Sequence, residues 1–140
     1  MNLKDLAYFF PILAVLLVAC DPVIRHKKVI ENNSDYDLNV RIYSDSLSWP
    51  NIYSASIFTI PSKTEMVIAE MSEIGNINEF SACLIMCDSI VPALSNYPNA
   101  EVLLDFSESS NWTHAQLSKR TMGGGETECR IRLGNSSINL

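Results

Sequence analysis

The stretch Thr127-Glu128-Cys129-Arg130-Ile131-Arg132-Leu133 decides the fold class of this chain. Cys129, Ile131 and Leu133 alternate with Glu128, Arg130 and Arg132, which is the period-2 pattern of a strand with one face in a core and the other in water. Leu38-Asn39-Val40-Arg41-Ile42-Tyr43 repeats the pattern near the other end of the chain. Between them, Tyr53 to Ile60 (YSASIFTI) and Thr64 to Met71 read as strands. The short Pro61-Ser62-Lys63 connection predicts a hairpin that pairs Ile57–Ile60 with Met66–Ala69. Phe80 to Val91 is apolar enough for a buried central strand, with a short helix as the alternative. Glu101 to Phe106 and Ile138 to Leu140 complete the set, the last as an edge. Ser44 to Asn51, Ser72 to Glu79, Pro92 to Asn99 and Ser107 to Arg120 are polar connections, and Trp112 is the core anchor of the last one. No segment sustains a 3.6-residue period. The expectation is therefore all-β: a single-domain antiparallel β-sandwich, Ig-like or related, over residues 29–140.

The first twenty residues differ from the rest. Lys4 precedes an unbroken apolar run, Leu6 to Ala19 (LAYFFPILAVLLVA), which is too short for a comfortable membrane span and has the anatomy of a signal peptide. Leu17-Val18-Ala19-Cys20 then resembles the bacterial lipobox. That resemblance implies cleavage before Cys20, lipidation of its sulfur, a signal peptide over 1–19 and a lipidated tether over 20–28. Two or more acyl chains hold a protein stably on a bilayer where one does not. Asp21 after the cysteine resembles an inner-membrane retention signal, and Asp21 to Lys28 lacks the acidic run that resembles a surface-export signal, so the resemblance implies a membrane-anchored protein of the cell envelope that faces the periplasm.

Roughly 120 residues remain after cleavage, enough for one domain with its own core. The loss of Lys4 and Asp5 together leaves the net charge at −6. An acidic domain without a basic cluster is a poor nucleic-acid binder, because phosphate neutralisation supplies most of that affinity.

The tract Ile30-Glu31-Asn32-Asn33-Ser34-Asp35-Tyr36-Asp37-Leu38-Asn39-Val40, the Ile60-Pro61 step, Cys87-Asp88-Ser89-Ile90, Trp112 and a Gly-rich turn before a last strand together resemble small uncharacterised lipoproteins of Bacteroidetes. The resemblance covers most of the mature chain on loose motifs. It implies a periplasmic or outer-membrane lipoprotein and transfers no catalytic residues. Within that family Asp45-Ser46-Leu47 resembles a periplasmic O-glycosylation site at Ser46. Asp88-Ser89-Ile90 matches the same pattern in a more buried run.

Three cysteines remain beside Cys20. In an oxidising compartment two of them should pair. On a strand, Cys83 and Cys87 lie about 13 Å apart and cannot bridge each other. Cys87–Cys129 or Cys83–Cys129 are then the candidates, each closing a loop of about 45 residues worth roughly 4 kcal/mol on the chain-entropy model. A helix or loop would instead permit Cys83–Cys87. The tract Cys83-Leu84-Ile85-Met86-Cys87 also offers soft donors of the kind that select Cu(I).

Hydrolase and metalloprotease motifs are absent, and the two histidines, His26 and His114, lie in polar stretches. Asp35/Asp37 and Glu126/Glu128 read as turn chemistry and a solvated strand face, and Gly123-Gly124-Gly125 as a mobile hairpin turn. No catalytic residue, cofactor or metal is assigned, and the chain is not read as an enzyme. The leading expectation is a binding or structural module with an envelope protein as partner and an exposed sheet edge to receive it. The alternative is a carbohydrate- or peptide-binding lipoprotein with an aromatic patch drawn from Trp49, Tyr53, Tyr97 and Trp112. A third is a Cu(I)-handling protein, which requires free Cys83 and Cys87.

Overall fold

The computed structural model describes residues 22–43, 56–83, 89–120 and 123–140. Nine strands are formed by these residues: β1 (Val23–Asn32), β2 (Leu38–Tyr43), β3 (Ser56–Ile60), β4 (Thr64–Ile74), β5 (Ser89–Leu94), β6 (Glu101–Val102), β7 (Thr113–Lys119), β8 (Gly125–Leu133) and β9 (Ile138–Asn139). They build a four-stranded sheet in the order β4-β1-β8-β7, a three-stranded sheet β3-β2-β5 and a two-stranded ribbon β6-β9. The sheets pack into a sandwich-like all-β arrangement. Among the described residues no helix is long and apolar enough to cross a membrane.

The core follows from the alternation in β2 and β8. Leu38, Val40 and Ile42 from β2 and Cys129, Ile131 and Leu133 from β8 are all buried, and Ile30, Ile60, Ile68, Leu94, Phe106 and Trp112 close around them. Each aliphatic side chain taken fully out of water contributes about 1.5–3 kcal/mol before the entropy cost of ordering is set against it.

Several expectations are corrected. The tether reading of residues 20–28 does not hold beyond residue 22, because β1 starts at Val23. The alternation was hidden by polar residues at inward positions: Ile24, His26, Lys28 and Ile30 are all buried. His26 is hydrogen-bonded inside the domain. Lys28 lays its ammonium 4.2 Å from the centre of the Trp112 ring, a cation–π contact.

The sandwich is also not purely antiparallel. β1 and β8 run parallel, from Ile24 opposite Gly125 to Asn32 opposite Leu133. A parallel pair needs a long connection, and here almost the whole domain lies between the two strands.

The hairpin expected of Ile57–Ile60 and Met66–Ala69 is not formed. β3 pairs with β2 and β4 pairs with β1, so Pro61-Ser62-Lys63 carries the chain from one sheet to the other. Lys63 takes a positive φ of 58° at that corner. β4 finds a longer partner in β1, although its register slips once: Lys28 faces Ala69 while Val29 faces Val67. Ile68 is therefore the extra residue of a bulge and drops into the core.

Of the strand expected over Phe80–Val91, Phe80 to Cys83 are not strand, residues 84–88 lie outside the described residues, and β5 runs from Ser89 through Pro92 to Leu94. Pro92 is tolerated because β5 is an edge strand. The strand expected over Glu101–Phe106 shortens to two residues. The connection expected over 107–120 contains β7, whose side chains are mostly exposed and so carry no apolar alternation.

Candidate functional site

Asn32, the last residue of β1, is wholly buried and ties three segments together. Its side-chain amide donates to the carbonyls of Tyr36 at 2.8 Å, Ile60 at 3.1 Å and Pro61 at 3.1 Å. Its Oδ1 accepts from the backbone N–H of Ser34 at 3.1 Å and from the Ser34 hydroxyl at 2.6 Å. A buried carboxamide with both ends satisfied fixes the loop between β1 and β2 against the corner that follows β3.

That loop forms one wall of an open cleft of about 200 Å³, lined by Asp35, Tyr36, Asp37, Asn96 and Tyr97. The other wall is the turn after β5, held by the Ser95 N–H donating to the Asp37 carbonyl at 3.0 Å. The Tyr36 and Tyr97 rings meet edge to face, 5.2 Å between centroids at 82°, and Tyr97 stays 45% exposed. Such a pair gives a semi-rigid amphipathic surface with polar tips.

The two aspartates are each bonded to the surrounding scaffold. Asp35 accepts from Lys63 Nζ at 2.7 Å and from the Asn135 amide at 2.6 Å, and these two contacts, Lys63 first, hold its carboxyl below the usual aspartate range. Asp37 Oδ1 accepts from the Ser62 N–H at 2.9 Å. The sequence reading of this pair as turn chemistry agrees with these bonds. The cleft offers aromatic surface, carboxylate and amide groups to a polar ligand. Sequence reasoning missed it as a unit, although both walls carry a tyrosine inside a turn-prone run, Asn33-Ser34-Asp35-Tyr36-Asp37 and Ser95-Asn96-Tyr97-Pro98-Asn99.

Of the sequence-derived site residues, Cys83 and Cys129 are brought together as a disulfide, with Cα atoms 5.5 Å apart. Cys87, the other candidate partner of Cys129, lies outside the described residues, as do Cys20, Ser46, Trp49 and Tyr53. With its sulfur in a disulfide, Cys83 is not a thiolate ligand, which removes a requirement of the Cu(I) reading. Among the described residues no group of three His, Cys, Asp or Glu side chains is arranged to hold a metal ion. Trp112 is buried, with its indole N–H donating to the Phe106 carbonyl at 2.9 Å, so it belongs to the core and not to an aromatic patch. Tyr97 packs on Tyr36 instead. Ser89, the weaker glycosylation candidate, is half-buried at the start of β5.

His26 is the buried group that the sequence placed wrongly. It is 3% exposed, with Nδ1 2.6 Å from the Thr127 hydroxyl and Nε2 3.0 Å from a Glu73 carboxylate oxygen. Its ring lies 4.8 Å from that of Phe80. A hydroxyl, an imidazole and a carboxylate in series are the parts of a nucleophilic relay. Here Thr127 is 2% exposed, and its hydroxyl is bonded to the buried ring of His26. The chain of bonds locks β1 to β8 and β4. His114 is the cross-strand partner of Cys129 and is half-buried, and its Nε2 has no hydrogen-bond partner among the described residues.

On the outer face of the large sheet Arg130 donates to Glu128 at 2.6 Å, to Glu31 at 2.8 Å and to Glu65, and Arg132 donates to Glu31 at 3.0 Å. Glu128, Glu65 and Glu31, in that order, hold the Arg130 guanidinium charged still more firmly than usual. Glu126 sits 3.7 Å from Lys27 and 4.0 Å from Arg25. Glu31, Glu65 and Glu126 thus meet cations of other strands, and Glu128 meets Arg130 on its own strand.

Comparison with protein-family models, with curated proteins and with solved structures returns no match for this chain.

Proposed function

We propose that this chain is a lipid-anchored binding module of the cell envelope, held to the membrane through Cys20, facing the periplasm, and engaging a carbohydrate or peptide in the Tyr36–Tyr97 cleft. The observation that carries the reading is the cleft itself. Two aromatic rings, two aspartates already committed to the scaffold and an asparagine converge on one concave surface. Stacking and hydrogen bonding on such a surface bind polyhydroxylated or peptidic ligands without chemistry. The Cys83–Cys129 bond suits an oxidising compartment, and the lipobox-like Leu17-Val18-Ala19-Cys20 supplies the anchor. In this reading the protein is not an enzyme and carries no cofactor.

The test is a binding screen of the lipidated protein against glycan and peptide panels, run in parallel with Tyr97→Ala. Binding by the parent, lost at least about tenfold in the variant at unchanged thermal stability, supports the reading. Binding that is indifferent to Tyr97 overturns it.

A second reading, docking of an envelope protein, draws on the outer face of the small sheet. There Ile57 and Val91 flank Arg41 from the two neighbouring strands and are 62% and 50% exposed. Val91→Glu should then abolish in-cell crosslinks while leaving cleft binding intact.

A further inference from the structure

We infer that the outermost rung of the large sheet, where Val23 faces Ile74, rests on the lipid surface and that the Tyr36–Tyr97 cleft points away from it. The inference rests on the reading of Cys20 as the lipidated residue and adds an orientation that the anchor alone does not impose.

The first argument is the length of chain. Pro22 already belongs to the folded unit: its carbonyl accepts from the Gly75 N–H at 3.0 Å, and β1 begins at the next residue. Two residues of chain reach at most about 7 Å, so a lipid on Cys20 holds Pro22 within a headgroup's thickness of the bilayer. A domain on so short a leash cannot tumble freely above the membrane.

The second argument is what this end displays. Val23 and Ile74 are directly opposed in the register and are 43% and 69% exposed, two aliphatic side chains at the rim nearest the anchor. Arg25, Lys119 and Arg120 are exposed near the same rim, where their stems can lie along apolar surface and their charges can meet headgroup phosphates. Two acids of this end face other groups: Glu73 meets His26, and Glu126 meets Arg25 and Lys27, while Glu70 and Glu79, the latter at η1, the single turn Ile77–Glu79, are exposed.

The third argument is the position of the cleft. β1 and β8 run parallel from this rim to Asn32 and Leu133, and Asn32 holds the cleft loop. Ten residues of strand place the cleft about 30 Å from the Val23 rung. Lipid at one end of β1 and ligand at the other make the strand a spacer.

The experiment uses the full chain, purified in lipidated form and reconstituted in phosphatidylcholine vesicles that carry a nitroxide on the headgroup. An encoded fluorescent residue replaces Ile74 in one sample and Tyr97 in another, both exposed sites where a probe does not disturb the core. Quenching at position 74 should exceed that at position 97 by about threefold or more, given the ~30 Å between them. Equal quenching, or stronger quenching at 97, in protein whose intact mass shows the lipid overturns the orientation and leaves the anchor standing. An intact mass that retains residues 1–19 or lacks lipid on Cys20 overturns the anchoring reading, and the orientation falls with it. Thermal unfolding close to the parent's in both labelled chains certifies the fold.

Discussion

Asn32 donates its side-chain amide to the Tyr36 carbonyl at 2.8 Å, and through that bond the end of the longest-reaching central strand sets the shape of the cleft. Asn32→Ala removes the donor from three carbonyls and the acceptor from Ser34, leaving buried polar groups unpaired. A loss of about 2–4 kcal/mol is expected in denaturant unfolding, with weaker cleft binding. Asn32→Asp should destabilise as well, because a carboxylate cannot donate to the carbonyls of Tyr36, Ile60 and Pro61. An unchanged unfolding midpoint in Asn32→Ala would refute the hub assignment.

Reduction of the Cys83–Cys129 bond frees a 46-residue separation in the unfolded chain. On the chain-entropy model this costs about 4 kcal/mol. Spread over a domain of this size, it lowers the thermal midpoint by roughly 15 °C. Paired thermal melts with and without reductant check it, and Cys83→Ser should reproduce the reduced value.

Acid should weaken the outer charge network. Hydrogen bonds from Asn33 and then Arg130 hold the Glu31 carboxyl below its ordinary value of 4.5. Because the folded state lowers this value, its stabilisation is complete above the ordinary value and is lost as the pH falls through the depressed one. Lys63 at Asp35 and Ser107 at Asp105 act in the same direction. Stability should therefore decline on acidification below about pH 5, with a shallower slope in Glu31→Gln. At neutral pH Arg130→Met leaves three carboxylates without their shared donor and should cost about 1–3 kcal/mol.

Gly125 opens β8 where a Cβ would strike the Ser118 carbonyl oxygen and lie 2.5 Å from Ile77 Cδ1. Backbone cannot yield as a flexible side chain can, so Gly125→Ala should cost about 1–3 kcal/mol. Gly134→Ala, whose Cβ would meet nothing closer than 3.9 Å, is the control and should be near neutral. The same comparison separates packing from turn mobility as the reason for the glycine run. Gly124 is packed too, since its Cβ would sit 2.6 Å from the Val23 carbonyl oxygen, while Gly123 takes φ +94°.

The strands with regular alternation were legible in the sequence. Leu38–Tyr43 is a strand at the residues expected, and the inward and outward residues of Cys129 to Leu133 are as their alternation requires. Trp112 is the core anchor expected of it. The failures have a common cause. β1 carries His26 and Lys28 on its inner face, and their polarity masked the period until Thr127, Glu73 and Trp112 supplied partners. β7 exposes most of its side chains and has no apolar pattern to read. The Pro61-Ser62-Lys63 corner looks like a hairpin turn because local turn chemistry does not say which sheet the next strand joins.

The sequence by itself determined the all-β class, the strands that alternate cleanly and the shortlist of cysteines that could pair, because side-chain period and residue chemistry are local properties. Only the tertiary structure decided that β1 lies parallel to β8, that Cys83 takes Cys129, and that Asp35 reaches Asn135 across a separation of 100 residues to complete the cleft wall. Those choices depend on which distant segments bury their apolar faces together. No window of sequence contains both partners of such a contact.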